Sequence, residues 1–403
     1  MRDPSSVQVS GPLAPFVQGF SARLKLLDYA MQSRAGHLRL MADLSDWLGR
    51  RGLDGSALST QAVDEFVRDR RVAGHRDARS ARSLTPLLEY LRVTEAVPLP
   101  VAQPVAGPVE TVLAGYACYL VQERGLSVLT VERSTELVRP FLAARVADDG
   151  LALESLTAAD VTAFMLARSG SVSPATVQRT GTALRSLLRF LHLQGVIGSS
   201  LVGAVPATAR WKAAGLPKYL TAQQVGVLLA GCDPTTTVGQ RDLAILTFLT
   251  RLGLRAGEVA TLGLDDIDWR RGEITVRGKG NRHERLPLPV DVGEALVAYL
   301  TTSRHATAAA RTVFVGTRAP HRALTRGAVT QVVARAARRA GLGTIYAHRL
   351  RHTAATAMLA AGASLEEIGQ VLRHRHVLTT AGYAKVDHDR LRALARPWPG
   401  DAA

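Results

Sequence analysis

Leu38, Met41, Leu44, Trp47 and Leu48 follow one another at three- and four-residue steps, so a helix through them carries a single apolar stripe. Gly49 and the GLDG run from Gly52 to Gly55 close that helix. Ser59 is placed to cap the next, which carries Val63, Phe66 and Val67. Leu84, Leu87, Leu88 and Leu91 mark a third, and Gly19 to Val93 therefore reads as a small helical bundle. From Ala96 to Pro108 the periodicity vanishes into prolines, valines and glycines, the composition of an extended, semi-rigid linker. Helical spacing returns from Thr111 to Glu123 and from Thr130 to Ala144, where Val131, Leu137, Val138, Phe141 and Leu142 form the stripe. LTAADVTAF from Leu156 then matches LSTQAVDEF from Leu58, and Leu187 to Leu191 matches Leu87 to Leu91, both at an offset of about a hundred residues. Either the first two domains are diverged copies of one helical unit, or two unrelated leucine-striped bundles align by pattern alone.

Gly203, Pro206, Gly215 and Pro217 break the next stretch, Ser199 to Tyr219. Arg210, Lys212 and Lys218 make it basic, suited to lying along a phosphate backbone or simply to solvation. Thr221 and Gln224 then form a capping-box pair that starts a helix running to Gly231. A strongly apolar helix spans Gln240 to Leu252 and stops at Gly253, and a short one follows from Ala256 to Leu262. Gly272 to Pro289 alternates and turns as a β-hairpin does, with Gly278 to Asn281 at the tip. Helices resume at Val292 to Thr301, Arg326 to Ala340, His348 to Ala361 and Ser364 to Arg373. The pattern predicts a mainly α protein with a small antiparallel sheet. Its divisions are a helical module (1–95), a linker (96–108), a second helical domain (109–198), a basic linker (199–219), a final domain (220–398) and a short tail (399–403).

Composition narrows the partner. Lysines and arginines number 50 against 34 acidic residues, a formal charge of +16, which favours an anionic macromolecule and nucleic acid first. Cys118 and Cys232 stand far apart without paired-thiol spacing, which excludes a disulfide framework and a cysteine zinc site. The start of the chain lacks the apolar core of a signal peptide, and no run approaches the ~20 apolar residues of a membrane span. The expectation is a cytoplasmic protein.

Five separated stretches carry chemistry. Arg255, in the turn between two helices, is placed to hold a phosphate, with Glu258 one turn on to orient it. Lys279 lies between Gly278 and Gly280 at the hairpin tip, where the backbone can approach a ligand closely. With a pKa lowered by neighbouring cations it would protonate a leaving alkoxide; alone, it is an ordinary solubilising turn lysine. His348, Arg351 and His352 share one helical face. Zinc is disfavoured there: Arg349 replaces the glutamate that the H-E-x-x-H motif needs, and Arg351 would set a permanent cation beside the ion, even with His374 or His376 as a further ligand. His374 closes a Leu372-Arg373-His374 run. Tyr383 offers a phenol that becomes a nucleophile only when cations or a base activate it.

In order, R-A-G-E, a GKG hairpin, H-R-L-R-H, L-R-H and a tyrosine nine residues beyond His374 resemble the catalytic signature of the tyrosine recombinase, or phage integrase, family, over about Val109 to Pro397. The resemblance implies that Arg255 and Arg351 bind phosphate, that Lys279 is the general acid, that His348 and His374 are the two site histidines, and that Tyr383 is the nucleophile. His352 and His376 are not carried over. Many relatives have L-G-H where this chain has Leu372-Arg373-His374, and the segment from Arg375 to Leu378 is more basic and apolar than usual.

The resemblance further implies a helical core-binding domain joined to a catalytic domain as a C-shaped clamp on double-stranded DNA. The enzyme would work as a homotetramer on two sites, alone or alongside other recombinases of the same element, without metal or other cofactor. A type IB topoisomerase and a non-catalytic DNA-binding regulator on the same fold are the alternatives. For residues 1–95 the resemblance gives no role; an additional DNA-binding or protein-contact module is the expectation.

Overall fold

The structure is a computed structural model that describes residues 7–75, 80–97, 107–147, 150–207, 219–278, 283–305, 310–373 and residue 380. The chain separates into two compact units, one made of residues 1–99 together with 213–403 and the other of residues 100–212. As the periodicity predicts, the described residues are mostly helical with small antiparallel sheets.

In the first unit the N-terminal module contains α1 (Val17–Leu26), α2 (Met31–Arg50), α3 (Thr60–Val72) and α4 (Thr85–Val93). The apolar stripe of α2 is fully internal, with Leu38, Met41, Leu44, Trp47 and Leu48 packed against Phe20, Phe66 and Leu87. Ser59 caps α3 by accepting the Ala62 N–H, so the cap read from sequence is the one used.

The same unit holds the final domain: α9 (Ala222–Ala230), α10 (Thr237–Arg251), α11 (Ala256–Thr261), α12 (Val290–Ala298), α13 (Arg326–Arg339), α14 (Ala347–Ala360) and α15 (Leu365–Val371). The capping box of Thr221 and Gln224 starts α9. Helix α10 begins three residues earlier than its apolar pattern shows, because Thr236 caps it through the Gly239 N–H. Its side chains Ile245, Leu246, Phe248 and Leu249 are fully buried, and Phe248 meets Phe314 edge-on at 5.7 Å. That makes α10 the central helix around which the domain closes.

Strands β4 (Glu273–Arg277) and β5 (His283–Pro287) pair antiparallel as the expected hairpin, with Ile274 opposite Leu286 and Val276 opposite Glu284. The loop of residues 279–282, and Lys279 with it, lies outside the described residues. A further strand, β3 (Ile267–Asp268), extends the sheet to the order β3-β4-β5. Two residues are too few to show alternation, so sequence pattern gives no sign of it.

The N-terminal module is docked on the final domain by polar contacts. Asp28 Oδ2 lies 3.0 Å from His305 Nε2 and 3.5 Å from His321 Nε2, and Arg322 donates two hydrogen bonds to Glu89, at 2.7 and 2.6 Å.

The second unit is a four-helix bundle of α5 (Pro108–Gln122), α6 (Val128–Ala143), α7 (Ala158–Ser171) and α8 (Pro174–Leu193), with the short antiparallel strands β1 (Val146–Ala147) and β2 (Gly150–Leu151) between α6 and α7. Tyr116, Val138, Phe141, Leu184, Leu187 and Leu188 form its interior. Val205 is also buried there, so the chain stays packed on this bundle past Ser199, where periodicity fades. No helix among the described residues is long and apolar enough to cross a membrane.

Candidate active site

The site is assembled where the turn after α10 meets α14 and the end of α15. Gly253 makes that turn with φ +59°, and a Cβ placed on it would sit 2.5 Å from Leu372 Cδ2 and 3.3 Å from Ala354 Cβ. Only a residue without a side chain fits both the conformation and the approach. The close approach puts the Gly253 carbonyl 2.6 Å from Arg351 Nη1, while Arg351 Nη2 donates to the carbonyl of Leu372. Arg351 is 3% exposed, and its guanidinium ties the turn after α10 to the end of α15. A buried guanidinium needs such partners, because desolvating an unpaired cation is costly.

Arg255 is the residue immediately before α11. Its backbone N–H donates to Glu258 Oε2 at 2.8 Å and its Nη1 to Glu258 Oε1 at 2.6 Å. Glu258 is buried, so it holds Arg255 from the protein side, as the one-turn spacing predicts.

His348 and His352 lie in the first turns of α14 on either side of Arg351, with rings edge-on and centroids 4.3 Å apart. Burial, then Arg351 and Arg255, push the His348 pKa below the usual imidazole value. Burial, His348 and Arg351 push His352 down to about 4. Both rings are therefore neutral near pH 7, and a neutral imidazole can accept a proton.

A cavity of about 620 Å³ gathers these groups. Arg255, His348 and Arg351 line it together, along with Arg277, Gly278 and Arg326. Four arginines face Glu258 as the one carboxylate among the residues lining it, so the cavity attracts anions. Arg277 is held at 3.0 Å by Asp266, and Arg326 opens α13. Neither was singled out in the sequence, although Arg277 stands two residues before Lys279, a hint that the strand leading to the tip is itself cationic. Three of the six expected site residues thus come together. The other three, Lys279, His374 and Tyr383, lie outside the described residues, as does His376. Gly278 on the cavity wall and Arg373 are their described chain neighbours.

Away from the cavity, Asp28, His305 and His321 bring three ligand-type atoms within 4.8 Å of one another. The two imidazoles are stacked, 3.9 Å between centroids and 12° between planes. In-plane lone pairs of parallel rings do not converge on one ion, so this cluster is a pair of stacked imidazoles beside a carboxylate rather than a metal centre.

Residues 218–390 match the phage integrase family, and residues 113–195 match the phage integrase N-terminal SAM-like domain. A Sinorhizobium fredii protein named integrase/recombinase y4rA is 40% identical over 400 residues, covering 97% of this chain and 96% of its own. The tyrosine recombinase XerC of Oceanobacillus iheyensis is 31% identical over 287 residues, 68% of this chain and 91% of that protein. Among solved structures, a lambda integrase tetramer bound to a Holliday junction matches with a TM-score of 0.54 at 18% identity, over 81% of this chain and 90% of that one.

Proposed function

The chain belongs to the phage integrase family, the tyrosine recombinases, and from that premise we propose that it cuts and rejoins DNA at specific sites through a covalent 3′-phosphotyrosine. The observation that carries the reading is the shared cavity, in which two arginines and a neutral imidazole from α11 and α14 converge with the strand leading to Lys279.

The proposed reaction follows from the residue chemistry. The Tyr383 oxygen attacks a backbone phosphate; its O–P bond forms as the P–O5′ bond breaks. His348 takes the phenolic proton and Lys279 supplies one to the departing 5′-oxygen. Arg255, Arg351 and His374 neutralise charge on the non-bridging oxygens, the dominant contribution expected in phosphoryl transfer. Attack by the 5′-hydroxyl of another strand reverses the step, so rejoining draws on the stored ester bond and not on ATP. Guanidiniums take the charge role that a divalent ion has in other phosphoryl-transfer sites, so no metal is needed.

Double-stranded DNA is the proposed substrate, and a tetramer on two sites the proposed working assembly. The lambda integrase tetramer on its junction supports both. In the bundle of α5 to α8, a groove of about 640 Å³ is lined by Arg124, Arg133, Arg179 and Arg189, a surface suited to phosphates. Relatives named as integrases and recombinases favour strand exchange over topoisomerase-like relaxation and over a non-catalytic regulator. A cytoplasmic location accords with this reading. The N-terminal module is proposed as a diverged copy of the α5 to α8 bundle. Both have four α-helices among the described residues, and the matched segments start α3 and α7 with hydroxyl caps, Ser59 and Thr157.

The test uses a nicked duplex carrying a site selected from random-sequence DNA by the full chain. Wild type is expected to form a denaturant-resistant protein–DNA adduct. Tyr383→Phe is expected to bind that DNA and form none, and adduct at the wild-type level in this variant would sink the assignment.

A further inference from the structure

Arg373 occupies a position where its residue type is a poor fit to the backbone and a close fit to the charges around it. Its φ is +56°, a region that glycine enters freely and that strains a residue carrying a Cβ. Its side chain nevertheless turns inward and is 3% exposed. There Nη2 donates to Glu258 Oε2 at 2.6 Å, Nη1 donates to the Val371 carbonyl at 3.2 Å, and Nε lies 3.8 Å from Glu284 Oε2 on β5.

Glu258 is the carboxylate that also holds Arg255, through Oε1 to the guanidinium and Oε2 to the backbone N–H. Arg255 Nη2 reaches back to the Arg373 carbonyl at 3.5 Å, which closes a ring of contacts from α11 to the second residue past α15 and back. A buried carboxylate shared by two guanidiniums has no freedom to follow one without the other. Strain retained at a residue whose side chain reaches a reacting group's anchor points to a functional constraint.

We propose that Arg373 is a positioning residue for the phosphate-binding Arg255, acting through Glu258, and that it ties the loop end of the β4–β5 hairpin to the same anchor through Glu284. This rests on the reading that Arg255 contacts the scissile phosphate. Arg373 itself touches no DNA in the proposal. It fixes the carboxylate that aims Arg255, so its loss leaves DNA binding intact and slows strand cleavage.

The experiment measures single-turnover adduct formation and DNA affinity for the full chain with Arg373→Ala, Arg373→Met, Arg373→Lys and Arg255→Ala. The duplexes carry either a normal phosphate or a methylphosphonate at the scissile position. The methylphosphonate removes the negative charge that Arg255 is there to neutralise. Arg373→Ala is expected to cleave the normal duplex about 10- to 100-fold more slowly, the scale of loss for a misaligned catalytic group, with DNA affinity unchanged. Arg373→Met fills the buried space without charge, so it is expected to fold as wild type and remain slow, while Arg373→Lys recovers part of the rate. On the methylphosphonate duplex the deficits of Arg255→Ala and of the Arg373 variants are expected to shrink together.

Wild-type cleavage by Arg373→Met overturns the proposal, as does a deficit that stays unchanged on the methylphosphonate while that of Arg255→Ala shrinks. Arg373→Met keeps both results readable if the alanine variant fails to fold. Should Arg255→Ala itself cleave normally, or keep its full deficit on the neutral duplex, the underlying assignment of Arg255 falls instead, a result separable from any behaviour of Arg373.

Discussion

At Gly253 a backbone conformation and a packing distance make the same demand. Alanine there would meet strain of about 1–2 kcal/mol from the left-handed conformation. Its methyl would also press on Leu372 Cδ2 at 2.5 Å, within the layer that seats Arg351. Gly253→Ala is therefore expected to lower unfolding stability by roughly 2–3 kcal/mol, a sum of strain and overpacking. It should also slow cleavage in the adduct assay, because the carbonyl that fixes Arg351 moves. Wild-type stability in urea unfolding would show that the turn yields without cost. His352 supports a prediction of a different kind. Its folded pKa of about 4 lies below the ordinary imidazole value of 6.5. Between those two values the unfolded chain binds the extra proton and the folded chain does not, so stability falls as pH drops from 6.5 towards 4. The contribution is on the order of 1 kcal/mol, because solvent reaches part of the ring. His352→Gln should flatten that part of the stability-versus-pH curve, and an unchanged slope would assign the loss to other groups. His348 shifts the same way, so with His348 as the base, the acid-side decline of cleavage should fall at a lower pH than an ordinary imidazole gives.

Among the elements, those with a repeating signal are the legible ones. The stripe from Leu38 to Leu48, the caps at Ser59 and Thr221, the stop at Gly253 and the β4–β5 hairpin all follow from spacing and cap chemistry, which are local properties of the chain. Strand β3 and the Val146–Leu151 hairpin are too short to have a period. In the site, Arg255, Glu258, His348 and Arg351 are found by motif. Arg326 is not, and Arg373 shows only as a departure from L-G-H, since nothing local says whether an arginine lines a cavity, closes a charge ring or is merely solvated. The docking of the N-terminal module is equally hidden, because Asp28 and Glu89 meet partners more than two hundred residues away. Polar contacts with one partner at the surface are worth at most about 1 kcal/mol each, so one substitution there is expected to do little. Asp28→Ala combined with Glu89→Ala should speed amide exchange around Gly316 and Arg322, where His321 and Arg322 lose their partners, and leave α10 protected. Unaltered exchange at those amides would mean that apolar contact, not the Asp28 and Glu89 contacts, holds the module in place.

For the whole molecule the governing quantity is the net charge of +16, and what matters is how it meets a polyanion. Basic residues dominate two separate surfaces, the cavity with Arg255, Arg277, Arg326 and Arg351 and the groove of the α5 to α8 bundle. Contacts to phosphates release counterions, so affinity should fall linearly in log–log form with salt, at a slope of about 0.9 per phosphate neutralised. With roughly six to ten such contacts, a rise from 50 to 200 mM salt should cost about 10³- to 10⁵-fold in affinity. The two surfaces then separate by their effect on this slope. Arg133 and Arg179 belong to the groove and are distant in sequence from every proposed catalytic group. Replacing both by alanine should reduce the slope by about 2 and weaken binding to all DNA sequences alike. At saturating DNA the cleavage rate should be retained. The Arg373 variants should do the reverse, with an unchanged salt slope and slow cleavage. If the double variant keeps the wild-type slope, the groove does not carry the phosphates, and the charge that holds DNA must lie elsewhere on the chain.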